Sequence, residues 1–588
     1  MLSAPVIQVL RSRNKSANRF SRVSICIIAA FFLASLFSTG CADTLKNIRF
    51  YRPEPAPPDQ SELDSKAEEL INIYIDSVKR WDYDSAMDAL DELTAINARM
   101  YYPLDFYRSF LYLRLGKYDE SLELINLLSP GYFNTDFLQA RAEIYKSMRR
   151  YDESVGDLEK FITATGTEKS YPLYLYRQVA MEIGNADKAK EMLDLLVRNH
   201  PLDRYTLFCR IYEALDNRDF ATAEDVMQRL ASMRITDEGG MFDSEFYSVY
   251  LIFARARMAY EQGEIDRAID ILKAIPDSWE YMTGAWTTLA WVEMAHGRFA
   301  EAKILCLEGI ARFGGTDHLI NLGYQLPAST TDMKNPTRFL RHDTVASLFA
   351  NLGMLELMEG NIDSAISCAE TALSINYYET SAYEVKSSAL ELKGDIDGAI
   401  SVAISGLTKN KYSGSLIRAY AELAKSAPAA VPQGSPSAES MLSDEMKRCE
   451  NMCRVYTENL KARMDFALVR EALEIEDSCG FYQWASELFP ERYDVMTGHA
   501  VCLAESGDIE PALIVFGKFN YFPDIPILVA IYKRAEKKKN ANLLEFANHL
   551  RQLYDPERRL DSLLEPFITG AIKAIESASD SDSPDSET

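Results

Sequence analysis

A spacing motif recurs along this chain of 588 residues and limits the possible folds more than any other feature of the sequence. In each copy a turn residue is followed two places later by an apolar or aromatic residue, and three places after that by Ala or Ser. Six of the nine steps between successive copies lie within one residue of 34, a register that unrelated helices would not keep. The ten copies are Trp81/Tyr83/Ala86, Gly116/Tyr118/Ser121, Arg149/Tyr151/Ser154, Gly184/Ala186/Ala189, Arg218/Phe220/Ala223, Gly263/Ile265/Ala268, Gly297/Phe299/Ala302, Gly360/Ile362/Ala365, Gly394/Ile396/Ala399 and Gly507/Ile509/Ala512.

The motif is typical of a hairpin of two helices. Glycine closes the turn at low steric cost, and the small Ala or Ser lets the second helix pack closely on the first. Trp81, Arg149 and Arg218 replace the Gly, so we expect their turns to be tighter or less regular. One hairpin leaves an apolar face uncovered, so neighbouring hairpins must stack.

This pattern resembles the tetratricopeptide repeat, whose unit is a helix–turn–helix of 34 residues. The resemblance covers residues from about 64 to 412, with one isolated unit near 495–520. It implies an all-α fold, in which stacked helix–turn–helix repeats form a right-handed superhelical solenoid.

The first forty residues are typical of a secretory signal peptide. A basic segment precedes an apolar run over 23–37, which is too short to cross a bilayer comfortably. Ser38-Thr39-Gly40 followed by Cys41 resembles the lipobox of bacterial lipoproteins. That resemblance implies a lipid on Cys41 and a place in the cell envelope, in the outer membrane rather than the inner. An uncleaved signal anchor is the alternative. Residues 41–60 then form a Pro-rich tether.

Interruptions of the repeat predict the domain boundaries. The repeat array occupies 61–425, a linker rich in Ala, Pro and Ser follows at 426–440, and a C-terminal helical subdomain with one repeat-like unit covers 441–568. The acidic, Ser-rich tail at 569–588 is expected to be disordered. A long insertion at 314–341 is either a functional loop or a disordered one.

The sequence contains no motif for catalysis, and it predicts no metal and no cofactor. No two of its six His lie within a helical turn of each other, and no phosphate-binding or nucleophile motif occurs. Seven Cys follow Cys41 without CxxC spacing, which predicts neither a disulfide framework nor a zinc site. A net charge of −25 argues against nucleic acid as a partner. We therefore expect a protein that is not an enzyme.

A candidate partner-binding groove follows from the family resemblance. In tetratricopeptide arrays the first helix of each pair faces the concave surface through positions 2, 5, 9 and 12. Those positions are aromatic between residues 171 and 291 and become small and acidic beyond, for example at Ser381 and Glu384. Clustered aromatic side chains in a concavity favour a binding site, unless the helices turn them into the core. The predicted groove residues are Tyr171, Tyr174, Tyr205, Phe208, Tyr212, Tyr250, Phe253, Arg257, Tyr260 and Trp291.

These features lead to three hypotheses. The first is a membrane-anchored scaffold of the bacterial cell envelope, which binds a segment of an envelope protein in its groove. The second is a lipoprotein that captures a solute or glycan for an uptake system, and a pocket closed by the 314–341 loop over the groove would favour it. The third, an enzyme, requires an array that closes into a ring with carboxylates at its centre.

Overall fold

The structure, a computed structural model, contains 28 α-helices and no strand in the residues that it describes. The predicted signal peptide, Cys41 and the tether lie outside those residues, as do residues 327–339 of the 314–341 insertion. The structure describes residues 61–79, 82–96, 104–128, 136–232, 244–274, 283–326, 340–518, 524–555 and 557–581.

Successive helices pair as hairpins, and neighbouring hairpins pack on one another, so the predicted all-α solenoid of stacked helix–turn–helix repeats is confirmed. Seven hairpins come first: α1 (Ser61–Lys79), α2 (Tyr83–Ala95), α3 (Leu104–Leu115), α4 (Tyr118–Leu127), α5 (Asp136–Ser147), α6 (Tyr151–Thr165), α7 (Ser170–Glu182), α8 (Ala186–Asn199), α9 (Arg204–Asp216), α10 (Phe220–Ser232), α11 (Ser244–Glu261), α12 (Ile265–Lys273), α13 (Thr283–Ala295) and α14 (Phe299–Gly314). After the short α15 (Asp317–Asn321) come six more hairpins and a last helix: α16 (His342–Glu359), α17 (Ile362–Ile375), α18 (Thr380–Lys393), α19 (Ile396–Lys409), α20 (Gly414–Ser426), α21 (Ala438–Val455), α22 (Leu460–Ala472), α23 (Cys479–Leu488), α24 (Tyr493–Glu505), α25 (Ile509–Phe516), α26 (Ile525–Lys538), α27 (Ala541–Tyr554) and α28 (Asp561–Ser581).

The spacing motif marks the second helix of ten hairpins. In every copy the apolar or aromatic residue is the first residue of that helix. The Ala or Ser three places later is completely buried in every copy. Ser154 shows why the position must be small: its hydroxyl reaches the carbonyl of Ala142 on the first helix of its hairpin, at 2.7 Å. Each motif therefore holds two helices in close contact.

Two turns without Gly keep the geometry that Gly provides elsewhere. Arg149 (φ 60°) and Arg218 (φ 55°) adopt the left-handed backbone that Gly184 (φ 71°) also adopts, so the expectation of irregular turns is wrong at these two positions. Trp81 lies outside the described residues. A left-handed conformation costs an ordinary residue about 1–2 kcal/mol. In Arg218 a hydrogen bond from Nη1 to the carbonyl of Glu261, at 2.7 Å, offsets part of that cost.

The hairpins continue past the boundary that the sequence predicts. The predicted linker at 426–440 lies inside one hairpin, between α20 and α21, where the hydroxyl of Tyr420 donates to the carbonyl of Pro436 at 2.9 Å. The predicted C-terminal subdomain contains hairpins α22–α23, α24–α25 and α26–α27 rather than one repeat-like unit. The tail prediction is also wrong in part, because α28 runs through Ser581.

The solenoid curls until its later hairpins meet its earlier ones. The start of the eighth hairpin contacts the first, the ninth contacts the second, and the tenth contacts the third. We call hairpins α1–α14 the first superhelical turn and α16–α27 the second. A Cβ built at Gly116 would lie 2.7 Å from the backbone nitrogen of Asp343, so the two turns touch without a gap.

The contact line between the two superhelical turns is mainly polar, and we call it the seam. On the first superhelical turn it uses the starts of second helices, where an Asp follows the motif residue. Three of these sites begin with Tyr-Asp, and the ring of Tyr151 lies 5.9 Å from that of Tyr412 across the seam. The seam consists of Asp84–Arg341, Asp119–Tyr377, Asp119–Tyr378, Asp152–Lys411, Asp152–Tyr412, Asp187–Asn451, Asp187–Arg454 and Arg218–Phe489.

Candidate binding cavity

A cavity of about 270 Å³ lies inside the superhelix, between the concave face of the first superhelical turn and the second superhelical turn above it. Helices α7, α9, α11 and α13 supply one wall, and helices α18, α20, α21 and α22 supply the opposite wall. The lining combines aromatic rings with charged side chains of both signs. Concave sites with an apolar surface and a few polar groups are the usual form of a small-molecule site.

Half of the predicted groove residues line this cavity, namely Tyr174, Tyr212, Arg257, Tyr260 and Trp291. The structure thus brings together side chains from four consecutive hairpins, as the repeat positions predict. The rings of Tyr260 and Trp291 lie 4.9 Å apart. Both side chains are at most 4% exposed, because the second superhelical turn covers them.

The remaining aromatic residues of the predicted groove pack between helices instead. Tyr205 sits 5.2 Å from the ring of Tyr171 and 5.0 Å from that of Tyr174, which fills the space between α7 and α9. The expectation of exposed rings is therefore wrong, and the reason is partly this lateral packing. The side chain of Tyr250 lies outside the described residues. Buried without lining the cavity are Tyr171, Tyr205, Phe208 and Phe253.

Ion pairs neutralise the charges of the first wall. Arg257 contacts Asp216 at 2.5 Å and lies over the ring of Tyr212, 5.3 Å from its centre. Asn459 of the second superhelical turn donates to the same Asp216 oxygen at 3.1 Å, which joins the two walls. Burial acts to lower the pKa of Arg257. The negative charges of Asp216 and Glu261 outweigh this effect, so the pKa of Arg257 is raised.

Glu384 is the most perturbed acid of the second wall. It is 8% exposed, and the hydroxyls of Ser413 (3.2 Å) and Ser415 donate to its carboxyl group. Burial raises the pKa of Glu384 to about 8, and the negative charges of Glu379 and Asp465 raise it further, while the two serines act in the opposite direction. Glu384 is thus largely protonated at neutral pH.

A guanidinium group lies near Glu384 on the same wall. Arg418 is 8% exposed; its Nη2 donates to Asp465 at 3.4 Å, and its Nη1 is 3.7 Å from Glu445. Arg418 could not be picked out by the motif, because the clear repeat stops near residue 412. Ser381 and Glu384 are the second and fifth residues of α18, and Ser415 and Arg418 hold the same places in α20. Extending the 34-residue register by one repeat would have found them.

The cysteines depart from prediction in one respect. Cys479 and Cys502 form a disulfide between α23 and α24, where the sequence predicts none. Consecutive hairpins bring these residues together, which sequence spacing alone does not reveal. Burial raises the pKa of Cys209, at the edge of the cavity, to about 11, although the nearby Arg177 acts against it, so this thiol stays protonated at neutral pH.

In the described part of the chain, no His, Cys, Asp and Glu side chains form a group of three or more that could hold a metal ion. None of its helices has the length and apolar character needed to span a bilayer.

Comparisons with known proteins identify no family for this chain. No protein-family model matches the sequence, and no curated protein matches it. A tetratricopeptide repeat protein from Parabacteroides merdae ATCC 43184 aligns with a TM-score of 0.30 and 14% identity, over 55% of this chain and 99% of that chain. The APC/C hetero-tetramer Cut9-Hcn1 aligns with a TM-score of 0.22 and 13% identity, over 75% of this chain and 97% of that chain. Similarity this low carries no conclusion about function, and the fold follows from the helices and contacts described above.

Proposed function

We propose that this protein is a non-enzymatic binding protein, anchored through Cys41 in the outer membrane of a bacterial cell, that captures a small polar solute in its central cavity. The observation that carries the proposal is that the second superhelical turn covers the cavity. Tyr174, Tyr260 and Trp291 lie beneath the second superhelical turn, not on an open groove. A cavity of about 270 Å³ suits a small molecule better than an extended protein segment.

The part of the chain that covers the groove is not the one that the sequence predicts. The sequence suggests that a pocket closed by the 314–341 loop would favour solute capture. In the structure it is the second superhelical turn that covers the groove. The physical consequence for the aromatic residues is the same, because their rings are withdrawn from bulk solvent. Solute capture is therefore the hypothesis that the cavity favours.

Native mass spectrometry of the protein isolated from its own cells tests this function. We expect a small molecule bound to the wild-type chain and lost in the double variant Tyr260→Ala/Trp291→Ala, because both rings line the cavity. Tyr420→Phe is the matched control, since its hydroxyl bonds Pro436 away from the cavity. A wild-type protein that carries no small molecule and binds none from a cell extract would contradict the proposal.

Two independent features support a place outside the cytoplasm. The signal-like leader ends at Cys41, and the disulfide Cys479–Cys502 belongs to a class of bond that persists mainly in oxidising compartments. Cell fractionation of the Cys41→Ser variant tests the anchor. We expect the variant to leave the membrane fraction, and unchanged membrane association would argue for an uncleaved signal anchor.

A protein-interaction scaffold remains the second candidate, and the polar seam is the observation that favours it. If the seam opens, the closed cavity becomes a groove that could admit a segment of an envelope protein. The pair Asp152→Cys/Lys411→Cys, joined by a bismaleimide crosslinker, would lock the seam, because the side chains at these positions contact each other across it. Crosslinking in cells then distinguishes the candidates: a partner lost on locking supports the scaffold, whereas a small molecule retained by the locked protein supports solute capture.

A further inference from the structure

Several polar atoms that line the cavity have no hydrogen-bond partner in the described part of the chain. On the first wall they are the hydroxyls of Tyr260 and Thr288, Nε of Arg177 and Nε2 of Gln178. On the opposite wall it is Nε of Arg418, whose Nη1 lies 3.7 Å from Glu445. All five side chains are more than nine-tenths buried. Buried polar atoms in native proteins are almost always hydrogen-bonded, so these atoms point to a ligand.

The unpartnered atoms are donors. The nitrogens of Arg and the amide nitrogen of Gln can only donate, and a hydroxyl can donate or accept. The amide of Gln178 is oriented by Lys146, whose Nζ donates to Oε1 at 2.8 Å and leaves Nε2 for another partner. No carboxylate oxygen of the described cavity lining is among the buried atoms without a partner. The spare hydrogen-bonding capacity of the cavity therefore suits a ligand rich in acceptors.

Most acids of the cavity already have partners, which argues against a cationic ligand. Asp216 is held by Arg257 and Asn459, and Asp465 is held by Lys461 at 2.5 Å. An ammonium ligand would have to displace one of these pairs. The lining contains seven cationic and seven anionic side chains, so protonation of Glu384 leaves a positive excess at neutral pH.

We propose that the captured solute carries an oxyanion, as a carboxylate or a phosphate ester, whose oxygens accept hydrogen bonds from this set of donors, with Arg418 as the charged one. The aromatic rings of Tyr260 and Trp291 contact the rest of the molecule. This inference rests on the proposed function, because it names the class of solute that the cavity captures. Charge-assisted hydrogen bonds in a buried site are the strong ones, which is why an oxyanion is preferred to a neutral acceptor.

Isothermal titration calorimetry of the mature chain provides the test, with citrate, glycerol 3-phosphate and sucrose as carboxylate, phosphate and neutral probes. We expect at least one oxyanion to bind and sucrose not to bind. Tyr260→Phe and Thr288→Val remove hydroxyls that bond nothing in the protein, so thermal stability should stay the same. Oxyanion affinity should fall about tenfold in each, the usual loss for a hydrogen bond to a charged group. Tyr420→Phe is again the control, and its affinity should match the wild type.

The outcomes separate the two proposals. Binding of sucrose alone overturns the oxyanion inference and leaves solute capture standing. Binding of none of the probes, in a protein that also carries no small molecule when isolated, overturns both. A second variant, Arg418→Gln, should abolish oxyanion binding with its circular dichroism unchanged, and unchanged affinity would exclude Arg418 as the charged donor.

Discussion

Two kinds of joint hold this molecule together, and they differ in chemistry. Along the chain, neighbouring hairpins share continuous apolar cores, one of which extends from Ala67 to Val292. Across the seam, the two superhelical turns meet mainly through carboxylates, phenols and cations. Asp152 and Lys411 in that seam are 54% and 59% exposed, so water competes for their charges.

This difference indicates which of the two kinds of contact breaks first. Apolar burial stabilises in proportion to the area removed from water, at roughly 25 cal/mol per Å². Exposed ion pairs contribute between about 0 and 1 kcal/mol each. The solenoid therefore holds neighbouring hairpins together more firmly than it holds its two superhelical turns together. The following predictions test that contrast, beginning with the largest expected effect.

Removing a buried ring from the apolar joint between neighbouring hairpins should destabilise the protein strongly. Phe546 of α27 is fully buried, 5.9 Å from the ring of Phe516 in the preceding hairpin. We expect Phe546→Ala to lower the free energy of unfolding by about 3–5 kcal/mol, since the lost contacts leave a cavity. Denaturation by urea, followed by circular dichroism, measures the change. A loss below 1 kcal/mol would mean that apolar packing does not dominate this joint.

Breaking the covalent link between two stacked hairpins should rank next. The disulfide Cys479–Cys502 spans 23 residues. Its removal in Cys479→Ser/Cys502→Ser should cost about 3 kcal/mol, because the unfolded chain regains the entropy of an open loop. The same urea titration measures it, and the wild type under reducing conditions should show a similar loss. An unchanged midpoint would show that the bond adds nothing to the stacking.

The buried carboxyl of the cavity wall should give a pH dependence. Glu384 has a pKa of about 8 in the folded protein against an ordinary 4.5, so between these values the folded state keeps a proton that the unfolded chain has lost. The free energy of unfolding should therefore fall as pH rises from about 4.5 to 8, by at most about 1.4 kcal/mol per pH unit from this group. Glu384→Gln should remove that part of the slope. An identical profile in the variant would refute the assignment.

Weakening the seam should affect stability least and ligand exchange most. A double-mutant cycle on Asp152 and Lys411 should give a coupling below about 1 kcal/mol. Exchange of a bound probe, measured by stopped-flow fluorescence, should quicken by up to about fivefold, the factor that 1 kcal/mol represents. Neutralising Glu264 and Arg267, an exposed pair at the start of α12, should leave exchange unchanged. Equal effects of both changes would remove the special role of the seam.

Much of the local structure could be predicted because each hairpin is specified by its own residues. All ten spacing motifs mark real hairpins, and they do so through contacts within about a dozen residues, such as Ser154 to Ala142. Hairpins α22–α23 and α26–α27 were missed because the residues after their left-handed turns at Glu474 and Lys539 depart from the motif, and in the first of these Glu476 replaces the apolar residue. In the second of these, Leu544 also replaces the small residue of the motif.

The cavity between the two superhelical turns could not be predicted, because it depends on an angle that no single hairpin specifies. A small rotation between neighbours accumulates over seven hairpins and decides whether Tyr118 meets Tyr378, 6.0 Å away, or faces water. The sequence contained a weak sign in the Tyr-Asp pairs at the first three sites of the seam. Asp also follows the motif residue at Ile265, Ile362 and Ile396, so this sign alone was not specific.

The order of synthesis makes the seam a late event in the life of the chain. Its partners are far apart along the chain; Asp187 and Arg454, for example, are separated by 267 residues. Until the second superhelical turn has been made, the rings around Trp291 lack their cover and form an exposed apolar surface. We expect the nascent protein to need a holding chaperone at that stage, and a chain that stops near residue 340 to be a target for proteases.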